Sequence, residues 1–119
     1  MRDASHKAMS EYLRGRRAGE FTLVAAATDS SALGVLDAVR ETGHEANFAI
    51  VGQDCIPEVA EQMLDPESPI IGSVSHEVND YGPRLIELGL SLLRGRNVPP
   101  YNYVQHKLIS AESIRNHVG

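Results

Sequence analysis

Four apolar residues in a row, Phe48, Ala49, Ile50 and Val51, constrain the fold of this chain more than any other stretch. A run without polar alternation predicts a strand buried on both faces, as in a parallel sheet. Gly52 then lets the backbone turn. Gln53 and Asp54 land just past the strand's carboxyl end, which is where open parallel sheets place ligand groups. Pro57 follows at the first turn expected of a helix, a favoured place for proline. Taken alone, Asp54 reads first as a cap or turn residue, a common use of aspartate. What turns attention to a ligand is that the same pattern occurs twice more.

The other two strands are expected over 21–27, ending in Thr28, Asp29 and Ser30, and over 70–75, ending at His76. Helices are expected over 31–42, with Leu33, Leu36 and Val39 at helical spacing and Asp29 as the cap, over 57–64, and over 79–94. An opening helix capped by Asp3, a last strand near 103–109 and a short terminal helix from 111 complete the chain. Alternating strands and helices predict an α/β fold, a parallel sheet flanked by helices in three αβα layers. Residues 1–119 read as a single domain.

The length of 119 residues suffices for one core, and 42% hydrophobic residues mark a globular chain. A net charge of −5 argues against nucleic acid, because phosphate binding needs a basic patch. The basic residues Arg14, Arg16 and Arg17, and Arg94 and Arg96, fall where helices should end and compensate helix dipoles. Cys55 is the only cysteine, which excludes an intrachain disulfide; a small, partly buried thiol is its expected role. No Gly-rich phosphate loop follows any strand, so no nucleotide cofactor is expected.

The three strand ends present Thr28 with Asp29, Gln53 with Asp54, and Ser75 with His76. On neighbouring strands these groups would line one sheet edge. Carboxylates and amides suit a polyhydroxylated ligand, since one carboxylate can accept two hydroxyl protons. Asp29, Asp54 and His76 are also acceptable metal ligands, but nothing has the close spacing of a dedicated motif, and no metal is expected. No serine sits on a nucleophile elbow. His6, His44, His106 and His117 read as surface residues.

Val24–Ala25–Ala26–Ala27–Thr28–Asp29–Ser30–Ser31–Ala32–Leu33–Gly34, Ile50–Val51–Gly52–Gln53–Asp54 and Ile71–Gly72–Ser73–Val74 resemble the C-terminal part of type I periplasmic binding proteins. So do Tyr81–Gly82, Leu92–Leu93–Arg94–Gly95 and Val98–Pro99–Pro100. The resemblance is closest to sugar-binding proteins of ABC importers. The related effector domains of lactose-repressor-type regulators carry a Gly-Phe-Asp block where Gly52, Gln53 and Asp54 stand here.

The resemblance implies a non-catalytic protein of two lobes that closes on a sugar, here with the N-terminal lobe absent. It implies that Asp54 binds sugar hydroxyls, that Thr28 stands where many relatives have a ligand-binding asparagine, and that Asp29 follows it. Gln53 and His76 complete the expected ligand-binding set. An ABC permease is the implied partner of the full-length protein. The implied location is periplasmic for a transporter component and cytoplasmic for a regulator. In the family the 79–94 helix packs on the other lobe, so in this chain it is expected to mediate self-association. Two alternatives stay open: a regulator's effector domain, and a small flavodoxin-like hydrolase using Asp29, Asp54 and His76.

Overall fold

In the computed structural model, which describes residues 1–118, the three apolar runs become neighbouring strands. β1 (Thr22–Ala25), β2 (Phe48–Gln53) and β3 (Ile70–Ser75) pair in parallel in that spatial order. β4 (Lys107–Ser110) closes the sheet, antiparallel to β3, with Ser75 beside Lys107. The sheet is therefore parallel over three strands and antiparallel at one edge. β4 is also shorter than the expected strand over 103–109, since residues 101–106 have no regular structure.

Helices α2 (Asp29–Glu41) and α3 (Pro57–Leu64) connect successive parallel strands. Right-handed crossovers between adjacent strands place both on the same face. There Ile50, Ile70 and Ile109 share a core with Leu36, Val39, Val59 and Met63, all nearly inaccessible to water. Ile114, the first residue of α5 (Ile114–Val118), belongs to the same core. Leu23, Ile71 and Leu108, one position along from core-facing residues, are exposed.

α1 (Arg2–Gly15) packs on α2. The two approach so closely at Gly34 that a Cβ there would strike the Arg2 carbonyl and the Ser5 hydroxyl. The Arg2 guanidinium reaches Asp37 of α2 at 2.7 Å and Glu58 of α3 at 2.8 Å. These partly exposed pairs fix where α1 lies more than they stabilise it.

Two helix starts differ from expectation. α1 begins at Arg2 with Asp3 inside its first turn, and no side chain caps it. α2 is capped by Thr28, whose hydroxyl accepts the Ser31 N–H at 3.2 Å, and Asp29 is its first helical residue. Asp29 is freed from capping its own helix because the residue before it does that work.

Beyond β3 the chain changes character. A 3₁₀ turn (Val78–Asp80) leads into α4 (Tyr81–Leu93), which replaces the single helix expected over 79–94. No residue of α4 is buried, and Leu85, Ile86, Leu90, Leu92 and Leu93 are all exposed. The molecule measures 63 × 29 × 19 Å with a radius of gyration of 18.3 Å, against roughly 13–14 Å for a compact chain of this length. The difference is the arm formed by α4 and the returning segment.

Candidate functional site

The carboxyl ends of β1, β2 and β3 lie side by side, so Thr28, Gln53, Asp54 and His76 occupy one edge of the sheet. Gln53 and His76 touch: the Gln53 amide nitrogen lies 2.8 Å from His76 Nε2, the amide donating and the ring nitrogen accepting. Asp54 Oδ1 is 3.5 Å from the same ring nitrogen, a contact that becomes an ion pair when the ring is protonated. The Asp54 side chain is 42% exposed, against 19% for His76. The carboxylate is thus half free to meet a solute, with the imidazole as its wall.

The backbone is strained in the same place. Among the described residues, the only non-glycine residues with positive φ are Asp54 (110°), Cys55 (54°) and Glu77 (49°). All three follow β2 or β3. Side chains in this region cost energy and cluster where surrounding structure overrides local preference, typically at binding sites.

Asp29 is the member of the expected set that the structure places elsewhere. It is fully buried. One oxygen accepts the Ser73 hydroxyl at 2.7 Å, and the other accepts the Ile56 N–H at 2.8 Å. Burial pushes its pKa up, the bonds from Ser73 and Ile56 pull it back down, and the nearby Asp54 charge adds to the rise. Gly52 is obligatory beside it, because a Cβ there would run into Asp29 Oδ1. The carboxylate therefore lies behind the edge and is separated from Asp54 and His76 as a reacting group.

Two residues of the site escape a sequence reading. His106, expected at the surface, is exposed and also stacks edge-on against His76, with ring centroids 4.6 Å apart. It arrives because β4 runs antiparallel, so the residue before that strand falls beside the end of β3. Ser73, on β3, falls in one of the blocks that carry the family resemblance, but nothing in the sequence gives it a role at the site. Cys55 is half-buried, its thiol pKa raised by burial and by the Asp29 and Glu77 charges, so it stays a protonated thiol at neutral pH. The side chain of His117 lies outside the described residues.

A groove of about 550 Å³ lies elsewhere, between α4 and the returning segment, lined by Leu85, Leu88, Val98, Pro99 and Tyr103 among others. Polar side chains line it too, Arg84, Glu87, Arg96 and Asn102 among them, but none of the residues expected to bind a ligand does.

Comparison with solved structures shows that the chain has a type I periplasmic-binding-protein-like fold. A solute-binding protein of an ABC transporter from Agrobacterium vitis, with bound allitol, superposes with a TM-score of 0.89 at 23% identity. The match covers 98% of this chain and 40% of that one. A periplasmic solute-binding protein from Actinobacillus succinogenes 130z with bound D-allose gives 0.85 at 19% identity, over 97% of this chain and 40% of the other. One from Bacillus halodurans C-125 with bound myo-inositol gives 0.82 at 20% identity, over 98% and 39%. This chain thus spans about two-fifths of the length of these structures. No family model matches the sequence, and no curated relative does. Among the described residues, no helix is long and apolar enough to cross a membrane.

Proposed function

We propose that this chain is a non-catalytic sugar-binding lobe, the C-terminal lobe of an ABC-importer substrate-binding protein, whose binding edge is Thr28, Gln53, Asp54 and His76. The observation that carries it is the half-exposed Asp54 carboxylate held on a strained turn against His76, at the strand ends of this fold. Such a carboxylate can take two adjacent hydroxyl protons, and the Gln53 amide and the His76 ring supply the directional partners. The polyhydroxylated compounds bound by the three structural neighbours, allitol, D-allose and myo-inositol, are the chemical class this edge suits. Asp29 serves the site from behind, without touching the sugar. The same burial speaks against the hydrolase alternative, which needed Asp29 to act beside Asp54 and His76.

On this reading residues 1–119 act as one lobe of a two-lobed protein, with a permease as the docking partner of the closed form and the periplasm as its place; the span of about two-fifths of the neighbours' length supports it. A single lobe binds weakly, because closure supplies much of the contact and excludes water. When the chain stands alone, a second copy covers the apolar residues of α4, since burying them is worth about 25 cal/mol per square ångström.

The test is calorimetry on the chain joined to its complementary lobe, with allitol, D-allose and myo-inositol as probes. Asp54→Ala should weaken the best of them by about 1.5–3 kcal/mol, the range for hydrogen bonds to a charged group. Unchanged affinity removes Asp54 from the site. Turnover of any probe, lost with Asp54→Ala, would replace binding by catalysis.

A further inference from the structure

We infer that Asp29 and Ser73 form a buried clamp that sets the left-handed turn at Asp54 and Cys55, and so aims the Asp54 carboxylate; this rests on the sugar-binding role proposed for Asp54. Three consecutive backbone N–H groups leave β2, and each finds a different partner. Asp54 N–H donates to the Val74 carbonyl at 2.9 Å. Cys55 N–H donates to Ser73 Oγ at 3.0 Å, and Ile56 N–H donates to Asp29 Oδ2 at 2.8 Å. The Ser73 hydroxyl passes the chain on, donating to Asp29 Oδ1 at 2.7 Å. Asp29 and Ser73 are both at 0% exposure, so the clamp reaches a solute only through the turn.

The chemistry explains why these residue types are needed. A turn with φ of 110° and then 54° at two non-glycine residues does not persist by itself. It persists when its amides are pinned, because a buried N–H left without a partner is costly. Ser73 is small enough to be buried in a strand, and its hydroxyl both accepts and donates. Asp29 offers two acceptors at once, and its negative charge sits at the start of α2 and at the Ile56 cap of α3, where both helix dipoles favour an anion. α3 has no capping side chain of its own, so α2 lends it one. The segments that follow β1 and β2 and the body of β3 are thereby tied through a single carboxylate.

Asp29 and Ser73 are positioning residues, and the test reads the turn before it reads the ligand. In the unmutated chain, the Cys55 and Ile56 amides should exchange with solvent as slowly as those of β2; exchange at the rate of a free loop overturns the clamp whatever the variants do. In Ser73→Ala, Cys55 exchange should accelerate and the Asp54 carboxyl and His76 ring resonances should move. Affinity for the best of allitol, D-allose and myo-inositol should fall roughly tenfold, though no ligand contact has been removed. Asp29→Ala should release Ile56 as well. Asp29→Asn should restore the turn, its carbonyl accepting from Ile56 and its NH2 donating to Ser73. A folded Ser73→Ala with Cys55, Asp54 and His76 unchanged overturns the inference. If none of the three compounds binds the unmutated protein, the sugar-binding role fails, and the ligand-free exchange and resonances still decide the clamp.

Discussion

α2 and α4 are both thirteen-residue helices with many apolar residues, yet they end in opposite environments. In α2 the residues Ala32, Leu33, Val35, Leu36, Ala38 and Val39 are all buried, between the sheet on one side and α1 on the other. In α4 nothing is buried, and Leu85, Ile86 and Leu93 stand 66%, 65% and 86% exposed. The contrast lies in the neighbours and not in the helices. α2 joins two adjacent parallel strands, and that short crossover brings it down on the sheet. α4 leaves β3 and comes back to an antiparallel β4 through an irregular segment, which lets it stand off as an arm. Apolar content makes a helix in need of a partner, and topology decides whether the chain itself supplies one.

The contrast is broken most forcefully in the core. Leu36→Ala, at a side chain only 1% exposed, should cost about 2–5 kcal/mol in urea unfolding, whereas Leu93→Ala should fall within about 0.5 kcal/mol of the unmutated chain. Similar costs would show that the arm packs on the body in solution. Gly34→Ala comes next: its Cβ meets the α1 backbone, so α1 must shift, at about 1–3 kcal/mol. Hydrogen exchange should then show α1 loosened while β2 stays protected.

A smaller effect follows from Asp29. Its folded-state pKa is raised because burial outweighs the bonds from Ser73 and Ile56 and the helix dipoles, so ionising Asp29 costs more in the folded chain than in the unfolded one. That contribution is complete below the unfolded aspartate value of about 4, and it is lost as pH rises through the folded value. The stability of the unmutated chain should therefore fall, relative to Asp29→Asn, as pH rises from about 4. Parallel urea midpoints for the two proteins across that range would contradict it. Least in stability, and greatest in assembly, is Leu92→Glu on α4, 64% exposed. It should leave the melting temperature nearly unchanged and shift the chain toward monomer by light scattering. An unmutated chain that is already monomeric at high concentration would show that α4 needs no partner.

Much of this molecule was legible because its signals are local. The unbroken apolar run from Phe48 to Val51 needs a two-sided environment, Pro57 suits only a helix start, and Gly43 and Gly95 adopt the positive φ that ends α2 and follows α4. Three parallel strands and the edge carrying Thr28, Gln53, Asp54 and His76 follow from those signals and the crossover rule. What local signals could not carry was pairing between distant residues. Asp29 looks like a cap from its neighbours, and only the approach of Ser73 from β3 and of Ile56 from beyond β2 turns it into a buried anchor. His106 looks like surface until β4 runs antiparallel and lays it against His76. The sequence alone determined which segments become strands and helices, and where polar groups leave the sheet, because backbone sterics and apolar periodicity act within a few residues. The tertiary structure decided which carboxylate faces solvent and which is enclosed, because burial and hydrogen-bond satisfaction are set by residues far apart in the chain.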